Sequence, residues 1–575
     1  MNRIVTCPLR GACTFSRTFS TIPRKSNISR QRKVQLCLLP SRWMSSSPGP
    51  LKNISEKTVN IAAVGVVIGF TAFGVFYTRR TLESSKPTKT SKESKPPVEP
   101  KKPEKPVPPP FLPDHAQYLI IGAGTTAFTA YQEIKARDPK AKVWLIGKEK
   151  HIPYSRPYLS KYLWYLAPEK MSKWMESEHP VGSRSIYYES DSYYFSAEEL
   201  LENENGGVCV LGGQNVTKLD ADKRKVYLEC GKEIGFDKCL IATGGKPRNL
   251  PIFKEASKQV QDRVTLFRSV DDFKKLYDLS SSAKSFVVIG GGFLGSELAV
   301  SLQNRATQDA TGATVTQVFP EKGNLGLVLP EQLSKWLTSH VTSEGVTVLT
   351  ERMVCSVGFE NNQVVLNLSD NTQLKADQVV VAVGLEPSVD LAATAGLEVD
   401  SNLGGFLVNS ELEARTNVWV AGDAACFYDR RLGRRRIEHY DNAEQSGRTA
   451  GQNMTGGGLS YTYQSTFWSD IGDMFMEAVG LVDSKLESTT FSELIKDVED
   501  GDNRKVVFYR KGEDVVGILT MNIKRKAELG RRYIDSGLKE KDLQEVAKQF
   551  FAKEKEKSEK DSEDNSKNKT DTVSS

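Results

Sequence analysis

What most constrains this 575-residue chain is a strand, glycine turn and helix pattern that occurs twice. In the first copy an apolar strand, Tyr118 to Ile121, runs straight into Gly122, Gly124 and Ala127, and a helix comes next through Ala130 and Ile134. The second copy, FVVIGGGFLGSELA, supplies Gly290, Gly292 and Gly295. Small residues at these spacings let backbone N–H groups and a helix N-terminus approach a pyrophosphate. One such motif is weak, because glycine turns occur in many loops; two, each between strand and helix, predict two dinucleotide-binding α/β folds. The residues expected against ligand are Gly122, Ala123, Gly124, Thr125, Thr126 and Ala127 in the first turn, and Gly291, Gly292, Phe293 and Leu294 in the second.

The segments downstream of each turn separate the two. The strand KVWLIG ends in Gly147-Lys148-Glu149, so Glu149 is expected at an adenosine ribose. After the second turn, ATVTQVFPEK carries Glu321 at its end. A carboxylate there suits a ribose 2′-OH and repels a 2′-phosphate, which favours NAD(H) over NADP(H). KCLIATGGKPR and VVVAVGLEP place Gly244 and Gly384 at equivalent later points of the two folds. NVWVAGDAA is more diagnostic, because its Asp423 falls where a carboxylate in this kind of fold accepts the ribityl hydroxyls of FAD. A helix N-cap is the plainer role for Asp423, and Ala424 and Ala425 are expected to begin a helix facing the flavin.

The rest of the chain reads as delivery and spacing. The formal net charge of +6 includes nine Lys or Arg and no acid within residues 1–50, which leaves −3 for the remainder. An Arg-, Ser- and Thr-rich, acid-free start has the composition of a mitochondrial presequence; a basic arm that binds nucleic acid is the alternative. The uncharged span Val59–Tyr77 reaches roughly 28 Å as a helix, enough to cross a bilayer. Residues 78–113 hold ten prolines and read as a semi-rigid linker, and the charged segment 553–575 as a disordered tail. The eight cysteines form no CxxC, which argues against a metal site and against a redox-active dithiol.

At IPYSRPYLSKYLW, LFRSVDDF, FPEKGN, AVGLEP, VAGDAACFYD, LGRRRIEHYDNAEQSGRTAGQNMTG and FWSD the sequence resembles the apoptosis-inducing factor family, relatives of glutathione reductase, from about Asp114 to Phe551. The resemblance implies an α/β fold of the glutathione-reductase type with two Rossmann-like domains. These are an FAD domain split as 114–247 and 386–465, an NAD domain 248–385, and a C-terminal α/β dimerisation-like domain 466–552, with the N-terminal transmembrane helix ahead of them. It implies FAD contacts at Lys148, Glu149, Arg156, Lys161, Val216, Arg268, Asp423, His439, Tyr440 and Trp468. NAD contacts are implied at Trp174, Glu321, Gly384, Glu438, His439, Glu477 and Asn522. The sequence departs from the family at Tyr440, where a second histidine is usual, at Leu327, where relatives carry Lys, and at Leu407, where the NADH-linked dimer face has Arg beside the matching Glu398 and Arg415.

Lys161, Glu297, His439 and Trp468 are the expected catalytic residues. Glu297 is read as two residues into the helix after the second turn, and the family pairs it with Lys161 beside the flavin. There a fixed ammonium stabilises negative charge on the ring while the carboxylate limits buried positive charge. Hydride transfer needs alignment more than an acid or base, and Phe467, Trp468 and Trp174 are candidate aromatic walls. The resemblance thus implies an NADH:acceptor oxidoreductase that forms a reduced-flavin/NAD charge-transfer complex. It would sit on the mitochondrial inner membrane facing the intermembrane space, with an NADH-induced homodimer and an oxidative import receptor as partners. A death effector released by linker cleavage to cytosol or nucleus is a rival reading. Its DNA contacts would come from Arg430, Arg431, Arg434, Arg435, Arg436, Lys524, Arg525, Lys526, Arg531 and Arg532, although residues 114–552 sum to about −8. A ferredoxin-reductase-like electron transferase shares the same glycine loops.

Overall fold

The computed structural model describes residues 111–180, 182–493 and 504–552. The presequence, the span Val59–Tyr77, most of the Pro-rich linker and the tail lie outside the described residues. Among those described, no helix is long and apolar enough to cross a membrane.

Strands rich in Val, Ile and Leu with neither face free must sit inside a parallel sheet. His115–Ile121, buried from Tyr118 onward, does so. Its sheet runs in the order Glu413–Arg415, Val418–Val420, Glu233–Ile241, His115–Ile121, Lys142–Gly147, Gly207–Gly212. All but the first of these six are mutually parallel. A second, wholly parallel sheet runs Thr347–Leu349, Thr314–Val318, Ser285–Ile289, Gln378–Val381, Val264–Leu266.

The two sheets repeat one plan. In each, the strand before the glycine turn lies between the strand after its helix and a strand that returns much later. The first sheet is completed by Val418–Val420, so the second is inserted within it in sequence. Chain enters and leaves the insertion along Gly245–Pro247 and Leu385–Pro387, which pair antiparallel.

Helix Thr125–Arg137 packs tightly on helix Tyr440–Met454. A Cβ at Gly447 or Gly451 would stand 2.5 Å from the Thr126 carbonyl or 2.4 Å from that of Ala130, so the approach requires glycine. The C-terminal sheet is antiparallel, in the order Thr466–Ile471, Met474–Gly480, Asp514–Met521, Arg504–Lys511, Glu487–Glu493. Ile534, Val546 and Phe550 of helices Ala527–Ser536 and Leu543–Phe551 cover one face of it.

Two expected elements change. No helix begins at Ala424: Gly422–Ala424 makes a single 3-10 turn, and Ala425–Asp429 continues as a strand beside Phe406–Leu407 and Gly433–Arg435. The Ala-Ala pair permits a helix, but Cys426 and Phe427 bury better across a ladder. The second turn's helix begins already at Phe293, which puts Glu297 a full turn inside it.

Candidate functional site

Each glycine turn closes the carboxyl edge of its sheet, and one steric fact fixes both. Gly122 has φ +124° and Gly290 φ +121°. A Cβ on either would lie 2.2 Å from a carbonyl oxygen, that of Ala242 or Ala382. Gly124 and Gly292 instead have nothing within 4 Å of an added Cβ. They are also the N-caps of helices Thr125–Arg137 and Phe293–Gln308, neither of which has a side-chain cap. Open space in front of uncapped N–H groups at the positive end of a helix suits a diphosphate.

The first turn opens on a cavity of about 1060 Å³. Gly122, Ala123, Gly124, Thr125 and Thr126 line it, as do Lys148, Glu149, Arg156, Val216 and Arg268. Phe293 and Leu294 of the second turn reach the same space. So do Lys161, Glu297, Asp423, Glu438, His439, Tyr440, Phe467 and Trp468. The volume is at the upper end of ordinary ligand pockets, which fits a dinucleotide cofactor.

A relay of charged groups spans the cavity wall. Arg156 Nη2 donates to Glu149 Oε1 at 2.6 Å, and the Tyr154 hydroxyl donates to Glu149 Oε2 at 2.6 Å. Burial alone would raise the Glu149 carboxyl, but Arg156 and Tyr154 outweigh it and hold it below its ordinary value. The other nitrogen of Arg156 donates to the Arg268 carbonyl at 3.0 Å. The Arg268 backbone is fixed by the capping box of helix Val270–Ser280, in which Asp272 accepts from Arg268 N and Ser269 N. Arg268 Nη2 then meets Asp423 Oδ2 at 2.9 Å. Asp423 sits within the 3-10 turn Gly422–Ala424, and its carboxylate lines the cavity beside Arg268.

Opposite charges also meet where Lys161 Nζ lies 2.8 Å from Glu297 Oε2, with the carboxylate 3% exposed. His439, the N-cap of helix Tyr440–Met454, stacks on Phe467 at 4.5 Å, and Phe467 in turn abuts Phe293 at 5.0 Å. Burial drives the His439 imidazole down to about 4, Asp423 opposes this, and Arg435 and Lys161 add to it. Solvent reaches the ring through the cavity it lines, yet the ring is neutral at pH 7. Tyr440 packs edge-on against Trp468 at 5.7 Å.

The remaining expected contacts lie outside the cavity lining. Ala127 is buried within its helix, and Gly291 is covered by the Phe319 ring. Gly292, Glu321 and Gly384 stand just past the carboxyl ends of the second sheet's strands. Trp174 packs on Tyr158 and Tyr162. Glu477 Oε2 accepts from Lys526 N and Ala527 N at the start of helix Ala527–Ser536. Burial raises its carboxyl against those two bonds. Asn522 Oδ1 accepts from Phe475 N. Ser160 and Ser469, neither of which a sequence motif marks as functional, both donate their hydroxyls to Glu297 at 2.6 Å. Ser160 could have been found beside Lys161; nothing local marks Ser469.

Of the ten basic residues expected at DNA, Arg430, Arg431, Arg434, Lys524, Arg525 and Arg532 are exposed, while Arg431, Arg434, Arg435, Arg436 and Arg531 bond within the protein. Arg431 bonds the Ile534 and Asp535 carbonyls, Arg434 that of Val408, and Arg435 that of Gly480. Arg436 pairs with Glu438 at 2.6 Å, and Arg531 donates to the Gln464 carbonyl and the Tyr463 hydroxyl. These guanidinium groups stitch strands and helix ends together. Away from the cavity, His340, Glu344 and Asp473 bring potential ligand atoms within 4.8 Å, but His340 is already in contact with Asp473 at 3.2 Å and the Ile471 carbonyl at 3.3 Å.

A family model described as pyridine nucleotide-disulphide oxidoreductase matches residues 116–447. Another, for the C-terminal region of apoptosis-inducing factor, mitochondrion-associated, matches residues 450–499. A Drosophila melanogaster protein named "Putative apoptosis-inducing factor 1, mitochondrial" is 41% identical over 491 residues, 76% of this chain and 66% of its own length, just under two thirds. "Apoptosis-inducing factor 1, mitochondrial" of Dictyostelium discoideum is 37% identical over 431 residues, 73% of this chain and 78% of that protein. The crystal structure of the covalent putidaredoxin reductase–putidaredoxin complex aligns with a TM-score of 0.61 at 24% identity, covering 76% of this chain and 99% of that one. That last likeness is one of fold.

Proposed function

We propose, from the premise that this chain belongs to the pyridine nucleotide-disulphide oxidoreductase family and within it to the apoptosis-inducing factors, that it is an FAD-dependent NADH oxidoreductase. The observation that carries the reading is one cavity joining an uncapped helix start, the Arg268–Asp423 pair and the buried Lys161–Glu297 pair. When bound, FAD supplies a ring that takes hydride from NADH and passes electrons to an acceptor.

The chain's own groups do the rest. The helix start at Thr125 would hold the diphosphate, and Asp423, steadied by Arg268, would accept the ribityl hydroxyls. The Lys161 ammonium, in the cavity lining, would stabilise negative charge on a bound ring, and Glu297 offsets its burial. Phe467 and Trp468 form the wall against which a nicotinamide is held, and neutral His439 closes it without adding charge. Glu321, at the edge of the second sheet, takes the NADH ribose. We assign residues 114–247 and 386–465 to FAD, 248–385 to NAD, and 466–552 to closing the site. The names of both relatives support a mitochondrial location. There the protein acts as an inner-membrane-anchored NADH sensor serving respiratory-complex biogenesis, and as an apoptosis effector once released.

The test is anaerobic addition of NADH to the purified protein. The expected outcome is a yellow protein whose flavin absorbance bleaches with a new broad long-wavelength band, and faster with NADH than with NADPH. A colourless protein, or a coloured one that NADH does not bleach, overturns the proposal.

A further inference from the structure

Glu297 is where three distant stretches of chain meet. Its Oε2 accepts from Ser160 Oγ at 2.6 Å and from Lys161 Nζ at 2.8 Å. Its Oε1 accepts from Ser469 Oγ at 2.6 Å. Ser160 and Lys161 come from the stretch after strand Lys142–Gly147, between the 3-10 turns Arg156–Leu159 and Tyr162–Tyr165, Glu297 from helix Phe293–Gln308, and Ser469 from the first strand of the C-terminal sheet. Ser469 is fully buried, and its neighbours on the same strand face, Phe467 and Ile471, are apolar. A hydroxyl there loses its hydration and, among the described residues, regains a partner at the carboxylate. Ser160 is itself pinned, because its carbonyl accepts from Ser301 Oγ on the helix that carries Glu297.

We infer that Ser469, with Ser160, is a positioning residue for the redox reaction, acting through Glu297 to set how much of the Lys161 charge reaches the flavin. Each hydroxyl dipole points at the carboxylate and draws off part of its negative potential. The carboxylate therefore cancels the ammonium only in part, and a positive field remains in the cavity. The C-terminal sheet contributes more than a wall: through Ser469 it is wired to the charge beside the ring. Without that hydroxyl, Oε1 is left unpaired in a buried place, the carboxylate neutralises more of Lys161, and negative charge on the ring is less stabilised.

The inference rests on the reading of the site as a flavin–NADH centre. Its test is Ser469→Ala, Ser469→Thr and Ser160→Ala in the FAD-loaded protein, with midpoint potential measured by dye equilibration and kcat and KM measured for NADH. Ser469→Ala is expected to move the potential in the negative direction and to lower kcat several-fold at unchanged KM. Ser469→Thr, which keeps the hydroxyl, restores both. A Ser469→Ala protein with the parent's potential and kcat overturns the inference even if its melting temperature falls. Should Ser469→Ala not fold, Ser160→Ala decides: a negative shift sustains the inference and an unmoved potential defeats it. A colourless parent protein defeats the underlying reading, whereas a coloured, NADH-reducible parent whose serine variants do not shift defeats this inference alone.

Discussion

The two glycine turns share a backbone and differ in what fills it. Both begin at a left-handed glycine jammed against a carbonyl 2.2 Å from where a Cβ would be. Around that point volume is traded. In the first fold Ala123 faces Gly147, with an added Cβ at Gly147 only 2.9 Å from the alanine methyl. In the second, Gly291 lies under the Phe319 ring, 2.6 Å from its own virtual Cβ. The first helix carries Ala127 where the second carries Gly295, whose Cβ would strike the Gly290 carbonyl at 2.2 Å. The acids diverge too: Glu149 is bound by Arg156 and Tyr154, whereas among the described residues Glu321 has no ion pair. The motif dictates a chain path, and the residues at the neighbouring strand ends decide which nucleotide that path can hold.

The largest effects should come from the shared feature. Gly122→Ala and Gly290→Ala each force a left-handed alanine into a carbonyl, at a cost of more than about 3 kcal/mol. If the folds hold different nucleotides, Gly122→Ala abolishes flavin retention, while Gly290→Ala leaves a yellow protein with little NADH reduction. Flavin spectra of the two purified variants decide the matter, and equal loss of flavin from both breaks the comparison.

The next effect is asymmetric. Gly295→Ala, which copies the first fold's residue into the second, should cost about 2 kcal/mol through its clash, whereas Ala127→Gly costs about 1 kcal/mol from helix propensity. Denaturant midpoints of the two variants, compared with the parent protein, give the order directly. Similar losses from both would mean that the two helices approach their sheets equally closely.

Acid should strain the cavity through His439. Its folded-state value of about 4 lies below the ordinary histidine value near 6.5, so the unfolded chain takes up the proton first as pH falls. This contribution is complete above about pH 6.5 and is lost progressively down to about pH 4. It amounts to about 2 kcal/mol once solvent reaching the ring is allowed for. Melting temperature should therefore decline over that window in the parent and less steeply in His439→Gln. A variant with the parent's slope removes histidine as the cause.

Much of this arrangement is legible in the chain itself, because strand, turn and helix are neighbours in sequence. Gly122, Gly290, Asp423 and Lys161 announce themselves within short motifs. The features that stay hidden depend on distant partners. The strand at Ala425–Asp429 forms because Phe406–Leu407 and Gly433–Arg435 are there to pair with it, and the local Ala-Ala pair suggested a helix instead. Ser469 acquires its meaning only when Glu297, 172 residues earlier, is placed against it. The internal bonds of Arg431 and Arg435 are likewise hidden, because the carbonyls they meet, those of Ile534 and Gly480, lie far along the chain.

The smallest effect tests the acids themselves. Because Glu321 has no ion pair among the described residues to satisfy it, its carboxylate is available to a ribose 2′-OH and its charge opposes a 2′-phosphate. Glu321→Ala should weaken NADH and favour NADPH, changing the ratio of their kcat/KM values on the order of tenfold, or about 1.4 kcal/mol. Glu149→Ala should leave that ratio alone, since Glu149 is occupied with Arg156. Its loss should loosen Arg268 and Asp423 instead and show as faster flavin release. A nicotinamide preference that tracks Glu149 rather than Glu321 would mean that the first fold, not the second, meets the reduced nucleotide.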